Sequence, residues 1–285
     1  MRNLIVTILA AAACLTARAQ QWDSLYYRPD KEVAAIKGVA FDEHMERLGD
    51  NTLHVIETIP EGTPKGVVYI YHGNAENLTG RNMQRVMSTL TAAGYTVRAF
   101  DYPGFGRSTG TPTHAAIGEA AREHFRRTVS DDDTPVIIYG RSIGTQIAAT
   151  IAAENSDRVR ELVLDGGSPS FKALALIFAP VEVHHLIEQY MTDPYSVADA
   201  LPRLEKTDVR VLFIHSGNDH IPYSDIRRLY DTFNGEKTFW SYDGYHIDAA
   251  TLYPDAFLSH IDSLARGRYR YMRNPRKLSQ TAKTS

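Results

Sequence analysis

Cysteine is almost absent from this chain. Its 285 residues include one, Cys14. That excludes a disulfide within the chain and a paired-thiolate metal site, and it excludes a cysteine nucleophile once the leader that carries Cys14 is removed. Neither sign of charge is in excess: 31 Lys and Arg stand against 34 Asp and Glu, a net charge of −3. Nothing in that balance favours nucleic acid as a partner. A spanning helix needs about 20 apolar residues, and the run from Leu4 to Leu15 is shorter. There is no internal repeat and no low-complexity linker. No P-loop pattern and no histidine–carboxylate spacing typical of a metal site occur, so no metal is expected.

What is present begins with a leader. Met1-Arg2-Asn3 is a short positive start, Leu4 to Leu15 is apolar, and Ala17-Arg18-Ala19 offers small residues for cleavage. Residues 1–19 therefore read as a secretory signal peptide, implying export to a periplasm or to the medium. Two other readings exist: a membrane-anchoring first helix, and lipidation at Cys14, where one acyl chain alone would anchor weakly. At the other end, residues 267–285 carry Arg268, Arg270, Arg273, Arg276, Lys277 and Lys283 without an acid. This basic tail reads as solubilising, with contact to anionic lipid as the alternative.

Between these ends, 20–266 reads as one domain. Residues 20–37 are polar with aromatics and are expected on the outside. Strands are expected at 53–60, 66–73, 95–104, 135–140, 159–167, 209–219 and 237–248. Helices are expected at 82–94, 114–129, 143–155, 224–233 and 250–266. Apolar strands alternating with helices indicate a mostly parallel sheet covered on both faces. In such sheets chemistry gathers beyond the carboxyl ends of the strands. Residues 170–200 interrupt the alternation as a helical insertion broken at Pro180 and Pro194, either a small cap or a long crossover.

One stretch asks for more than burial. In "VIIYGRSIGTQIAA" (136–149) a buried-type strand runs into Gly140-Arg141-Ser142-Ile143-Gly144 and straight on into a helix. A sharp strand-to-helix turn forces its middle residue into a strained conformation, and flanking glycines make room for the crossing chain. The serine oxygen is then presented at the top of the sheet, the nucleophile elbow. Serine is a weak nucleophile until a histidine takes its proton and a carboxylate orients that histidine. Asp219, after "VRVLFIHSGND", and His246, after "KTFWSYDGYH", stand where such partners are needed and in the order serine, acid, histidine. Asp165 is the rival acid. Asp243 and Asp248 are too near His246 in sequence to orient it easily. His215 reads as a packed core residue, and His220 as pointing elsewhere. His184 and His185 are candidates for the pocket wall.

Acyl transfer also needs donors for the oxyanion. The N–H of Ile143, just after the serine, is one. Asn74, in the loop His72-Gly73-Asn74-Ala75-Glu76-Asn77 after "GVVYIYHG", is the expected second. His72 reads as bracing that loop, and the glycine-rich "DYPGFGRSTG" (101–110) as a pocket wall. Tyr102, Phe105, Phe171, Leu174, Leu176 and Phe178 suggest an apolar acyl pocket.

Taken together, "YHGNAENL", "FDYPGFGRSTG", "GRSIGTQIAA", "SGNDHIP" and "GYHID" resemble, in order, the α/β-hydrolase superfamily from about residue 50 to 265. They look most like its depalmitoylase-related and serine-aminopeptidase-like members. The resemblance implies the α/β-hydrolase fold and acyl transfer to water through a serine ester without a cofactor. It carries over Ser142, Asp219 and His246 as a triad, with Asn74 and Ile143 as oxyanion donors. His220-Ile221-Pro222 after the acid and "LDGGSPSF" (164–171) depart from the usual pattern near the pocket. The expected activity is hydrolysis of a small carboxylic ester or thioester. A peptidase or amidase is the alternative, with Glu76 as the candidate for a substrate amine. A catalytically inactive binding module is the third reading.

Overall fold

A computed structural model describes residues 26–265 except Asp131. The leader with Cys14 and the tail 267–285 lie outside the described residues. Eight strands form one sheet in the order β1-β2-β4-β3-β5-β6-β7-β8. They are β1 Phe41–Leu48, β2 Asn51–Thr58, β3 Gly66–Tyr71, β4 Tyr95–Phe100, β5 Val136–Arg141, β6 Val159–Asp165, β7 Arg210–Ser216 and β8 Lys237–Tyr242. The β1–β2 and β2–β4 pairs are antiparallel, and all the others are parallel.

The parallel strands are apolar on both faces because helices cover both. Side chains alternate across a strand. Val67, Tyr69 and Tyr71 of β3 therefore enter one core, and Val68 and Ile70 enter the other. The same split divides Val136 and Ile138 from Ile137 and Tyr139 in β5, and Val211 and Phe213 from Leu212 and Ile214 in β7. Helix α1 (Arg81–Ala92) covers one face with Met83, Val86, Met87 and Leu90. Helices α2 (His114–Thr128) and α3 (Gly144–Glu154) cover the other. The Thr113 hydroxyl accepts the Ala116 N–H at 3.0 Å and caps α2, while Arg126 and Arg127 in its last turn suit the negative end of the helix dipole.

Strand β1 is the element that sequence reading passed over. Its "FDEHMERL" carries four charges and is mostly exposed. A charged edge strand lacks the apolar signature of its neighbours, and that charge discourages pairing with another chain. Helix α7 spans Tyr223–Thr232, and the expected closing helix after it is two pieces, α8 (Ala249–Leu252) and α9 (Pro254–Ala265), with Tyr253 between them. Pro254 explains the break, since a residue before proline disfavours helical geometry.

The insertion is helical and broken, as the prolines suggested. It comprises α4 (Phe171–Phe178), a short turn at Val181–Val183, α5 (His184–Tyr190) and α6 (Val197–Leu204). Its neck is tied twice. Ser170 and Ser196 form an antiparallel bridge, and Asp193 accepts the Phe171 N–H at 3.0 Å.

Candidate active site

Ser142 lies between the end of β5 and the start of α3, with φ at +51°. That conformation is costly for a residue with a side chain, and the surroundings hold it. Its N–H donates to the Asp165 carbonyl at 2.8 Å, and its own carbonyl accepts the Thr145 N–H at 3.0 Å. The two glycines are required by close approach. A Cβ on Gly144 would lie 2.1 Å from the Tyr71 carbonyl oxygen, and one on Gly140 would lie 2.6 Å from Thr145 Cα.

Two later loops meet this serine. Ser142 Oγ is 2.8 Å from His246 Nε2, and His246 Nδ1 is 2.9 Å from each oxygen of Asp219. Asp219 is 1% exposed and His246 16%. Burial works against charge on Asp219. The hydrogen bond and charge of His246, with the Ile221 N–H at 2.9 Å, outweigh it and hold the carboxyl below its ordinary value. The loop carrying His246 is strained at the next residue, where Ile247 has φ +53°. Tyr242 braces that loop: its hydroxyl donates to the Tyr245 carbonyl at 2.6 Å and accepts the Asp248 N–H at 2.9 Å.

Asp165, the rival acid, is used otherwise. Its carboxylate accepts the Tyr139 hydroxyl at 2.7 Å. Burial, only partly offset by Arg141 and Tyr139, pushes it up to about 6. Asp243 accepts from the Asn218 side-chain amide at 3.0 Å, which ties together the loops after β7 and β8.

The loop after β3 is held from two sides. Glu76 accepts the Gly73 N–H at 2.9 Å and the Arg141 guanidinium at 3.0 Å. Arg141 is fully buried and Glu76 13% exposed. On the other side a strap of the N-terminal segment crosses the loop. The Asn74 side chain accepts the Arg28 N–H at 2.8 Å and donates to the Tyr26 carbonyl at 3.0 Å. The Ala75 N–H donates to the Arg28 carbonyl at 3.1 Å, fixing Ala75 at φ +54°. With the amides of Gly73 and Ala75 committed, the Asn74 N–H lies between two anchored neighbours. Asn74 and Ile143 both line the cavity that Ser142 and His246 line.

That cavity is about 570 Å³. The insertion supplies its apolar wall through Leu174, Ala175, Phe178, Ala179, Val183, Ile187 and Met191. Several expectations need correction. Tyr102, Phe105 and Phe171 are core residues, and Leu176 packs against that core, so of the six proposed acyl-pocket residues only Leu174 and Phe178 line the cavity. No residue of 101–110 lines it either. There Asp101 instead accepts the Leu78 N–H at 2.8 Å and pairs with His54 at 2.6 Å. His184 bonds the Ala179 carbonyl at 3.0 Å, and neither it nor His185 lines the cavity. His220 does not point elsewhere: its ring lies 4.2 Å from that of His246, and it lines the cavity. Glu76 is committed to Arg141. His72 does brace its loop, with Nδ1 2.8 Å from the Gly73 carbonyl and its ring stacked 3.8 Å from Tyr102. His215 is a buried core residue, with Nε2 3.1 Å from the Ile221 carbonyl oxygen. Tyr26 and Arg28 line the cavity although the segment before Lys37 was expected merely on the outside, and no sequence signal marks them.

An eight-stranded sheet with this strand order, an elbow serine after β5 and an acid and histidine after β7 and β8 now stand together. The chain has the α/β-hydrolase fold. The family model described as serine aminopeptidase, S33, matches residues 62–193. Protein bem46 of Schizosaccharomyces pombe is 27% identical over 175 residues, covering 60% of this chain and 56% of that protein. Protein YfhR of Escherichia coli K12 is 30% identical over 184 residues, covering 62% of each. The matches thus span less than two thirds of these relatives' length. Among solved structures, an α/β hydrolase from Vibrio vulnificus superposes with a TM-score of 0.66 at 20% identity, covering 78% of this chain and 80% of that one. The esterase Pf2001 of Pyrococcus furiosus gives 0.65 at 16% identity, covering 83% and 97%. At these identities the likeness is one of fold.

Proposed function

We propose that this α/β hydrolase is an exported serine hydrolase that cleaves a carboxylic ester or thioester through an acyl-enzyme. The observation that carries the reading is the unbroken chain of short contacts from Ser142 Oγ through His246 to Asp219, at 2.8 and 2.9 Å. His246 Nε2 takes the proton of Ser142 as Oγ attacks the carbonyl carbon. The oxyanion is received by the N–H groups of Asn74 and Ile143, the latter at the positive end of α3. His246 then gives its proton to the leaving alcohol or thiol. Water, deprotonated by the same nitrogen, releases the acid and restores the serine. The acyl chain lies along the apolar wall of residues 174–191, for which that insertion acts as a cap. Export rests on the leader read in residues 1–19. Among the described residues no helix is long and apolar enough to cross a membrane.

An aminopeptidase reading follows from the description of the matched family. It needs a counter-charge for the substrate's amine. None of the described cavity-lining residues is Asp or Glu, and Glu76 is already paired with Arg141. This favours an ester or thioester over an aminoacyl amide.

The test is labelling with a fluorophosphonate beside Ser142→Ala, followed by p-nitrophenyl esters of rising acyl length and aminoacyl-anilides. The expected result is labelling lost in the variant, ester turnover down by about 10⁴-fold or more, and a preference for acyl chains longer than acetate. Labelling that persists in Ser142→Ala would refute the nucleophile. Anilide cleavage without ester cleavage would refute the substrate class. A folded protein that never labels would be the binding module.

A further inference from the structure

We infer that Asp219, His220 and His246 form a site for a zinc-type divalent cation, and that occupancy switches off the base. Each of the three offers one donor atom, and these atoms all lie within 4.8 Å of one another. His246 Nδ1 is 2.9 Å and His220 Nδ1 3.7 Å from Asp219 Oδ1. Zinc bonds nitrogen and carboxylate oxygen at about 2.0–2.2 Å, so tetrahedral ligands sit about 3.3 Å apart. The two observed separations bracket that value. The adjustment needed is a rotation of the His220 ring, whose side chain is 52% exposed. That ring faces the cavity between Phe178, 5.4 Å away, and His246, 4.2 Å away.

The donor chemistry selects the ion. Two imidazoles and one carboxylate suit zinc, and copper or nickel after it, whereas magnesium and calcium prefer all-oxygen sites. Three protein ligands also leave a fourth position for water.

The consequence for the serine follows from proton bookkeeping on one ring. A neutral imidazole carries a single proton. With His246 Nδ1 donating to Asp219, Nε2 has a lone pair for the Ser142 hydroxyl proton. An ion bound through the Nδ1 lone pair moves the proton to Nε2. The nitrogen beside Ser142 then donates where it must accept, and Asp219 is turned to the metal. Asp219 and His220 are neighbours in sequence, but His246 joins them only through the β7–β8 pairing, so no spacing along the chain announces the set.

The inhibitory consequence rests on the proposed serine hydrolase, whereas ion binding does not. Two readouts therefore separate them. Zinc affinity is measured on chelator-treated full-length Ser142→Ala, by competition with a chromophoric chelator, with and without His220→Ala or His220→Gln. Fluorophosphonate labelling of the wild-type serine is followed against zinc, with each His220 variant normalised to its own zinc-free rate. The expected result is micromolar zinc binding that weakens about tenfold or more in both His220 variants, since losing even an outer-shell partner of a metal ligand costs about 10–100-fold in affinity. Millimolar magnesium and calcium should not compete. Labelling should stop over the same zinc range and return with EDTA. Binding and inhibition unchanged in both His220 variants would overturn the site, as would no binding at about 100 μM zinc. Zinc binding by a protein that never labels would leave the site standing and refute the hydrolase reading.

Discussion

Glu76→Gln should destabilise this protein more than any other conservative change near its site. The carboxylate is 13% exposed and its partner Arg141 is fully buried. It accepts from Arg141 Nη2 at 3.0 Å and from the Gly73 N–H at 2.9 Å. Burial alone would raise its pKa, but the charge and hydrogen bond of Arg141, helped by the Gly73 N–H, hold it below the ordinary value. Breaking one side of a buried pair costs about 3–5 kcal/mol, because the other charge is left without its counter-ion. Here Arg141 keeps a 3.3 Å contact to the Tyr139 hydroxyl, and the glutamine oxygen can still accept, so the lower end, about 3 kcal/mol, applies. For a domain of this size that is roughly a 6–12 °C fall in Tm. The sign with pH follows from the depressed folded-state pKa. The contribution is complete above the unfolded carboxyl's value of about 4.3 and is lost as pH falls through the lower folded value. The gap between wild type and variant should therefore be full at neutral pH and shrink in acid. Calorimetry at both pH values checks this, and Glu76→Gln/Arg141→Met should recover much of the loss by removing both charges. A neutral-pH Tm within about 2 °C of wild type would refute the reasoning, since the pair would then be worth under 1 kcal/mol.

Two further predictions concern the same neighbourhood. Asp165 has its folded pKa raised to about 6, so its contribution to stability is present below the unfolded value of about 3.9 and lost as pH rises through about 6. Asp165→Asn, measured by urea unfolding, should gain relative to wild type between those limits; a pH-independent difference would contradict the assignment. Asn74→Ala keeps the backbone N–H but removes the 2.8 and 3.0 Å bonds to the strap. If those bonds position the oxyanion donor, kcat should fall while KM changes little, up to the 10²–10³-fold ceiling of losing one donor. A change confined to KM would mean that Asn74 touches substrate without positioning the loop.

Much of the frame was legible in the chain itself. Strand period, glycine spacing and the order of Ser142, Asp219 and His246 are local signals, and each β3-to-β8 strand announced itself by its apolar run. The elbow was legible because its geometry demands small residues: Gly140 and Gly144 leave a trace that a buried strand alone would not. Strand β1 was not legible because an exposed, charged edge lacks that pattern. The acyl-pocket residues were mostly misplaced for a related reason: an aromatic looks the same in sequence whether it faces a core or a cavity. Only the fold decided that Tyr102, Phe105 and Phe171 are core and that the insertion's aliphatic side chains face the space beside Ser142.

The sequence by itself thus determined the sheet, the elbow and which residues had the chemistry to be partners, because those depend on neighbours a few positions away. Tertiary structure alone decided that Asp219 reaches His246 while Asp165 meets Tyr139. It also assigned Glu76 to Arg141, laid Tyr26 and Arg28 across the loop of Asn74, and turned His220 toward His246. These are contacts between residues 26 to 65 positions apart, set by how the strands pair and where their loops converge. A side chain's partner across such a distance is fixed by packing, and the same carboxylate becomes an orienting acid or a buried brace according to what the fold brings beside it.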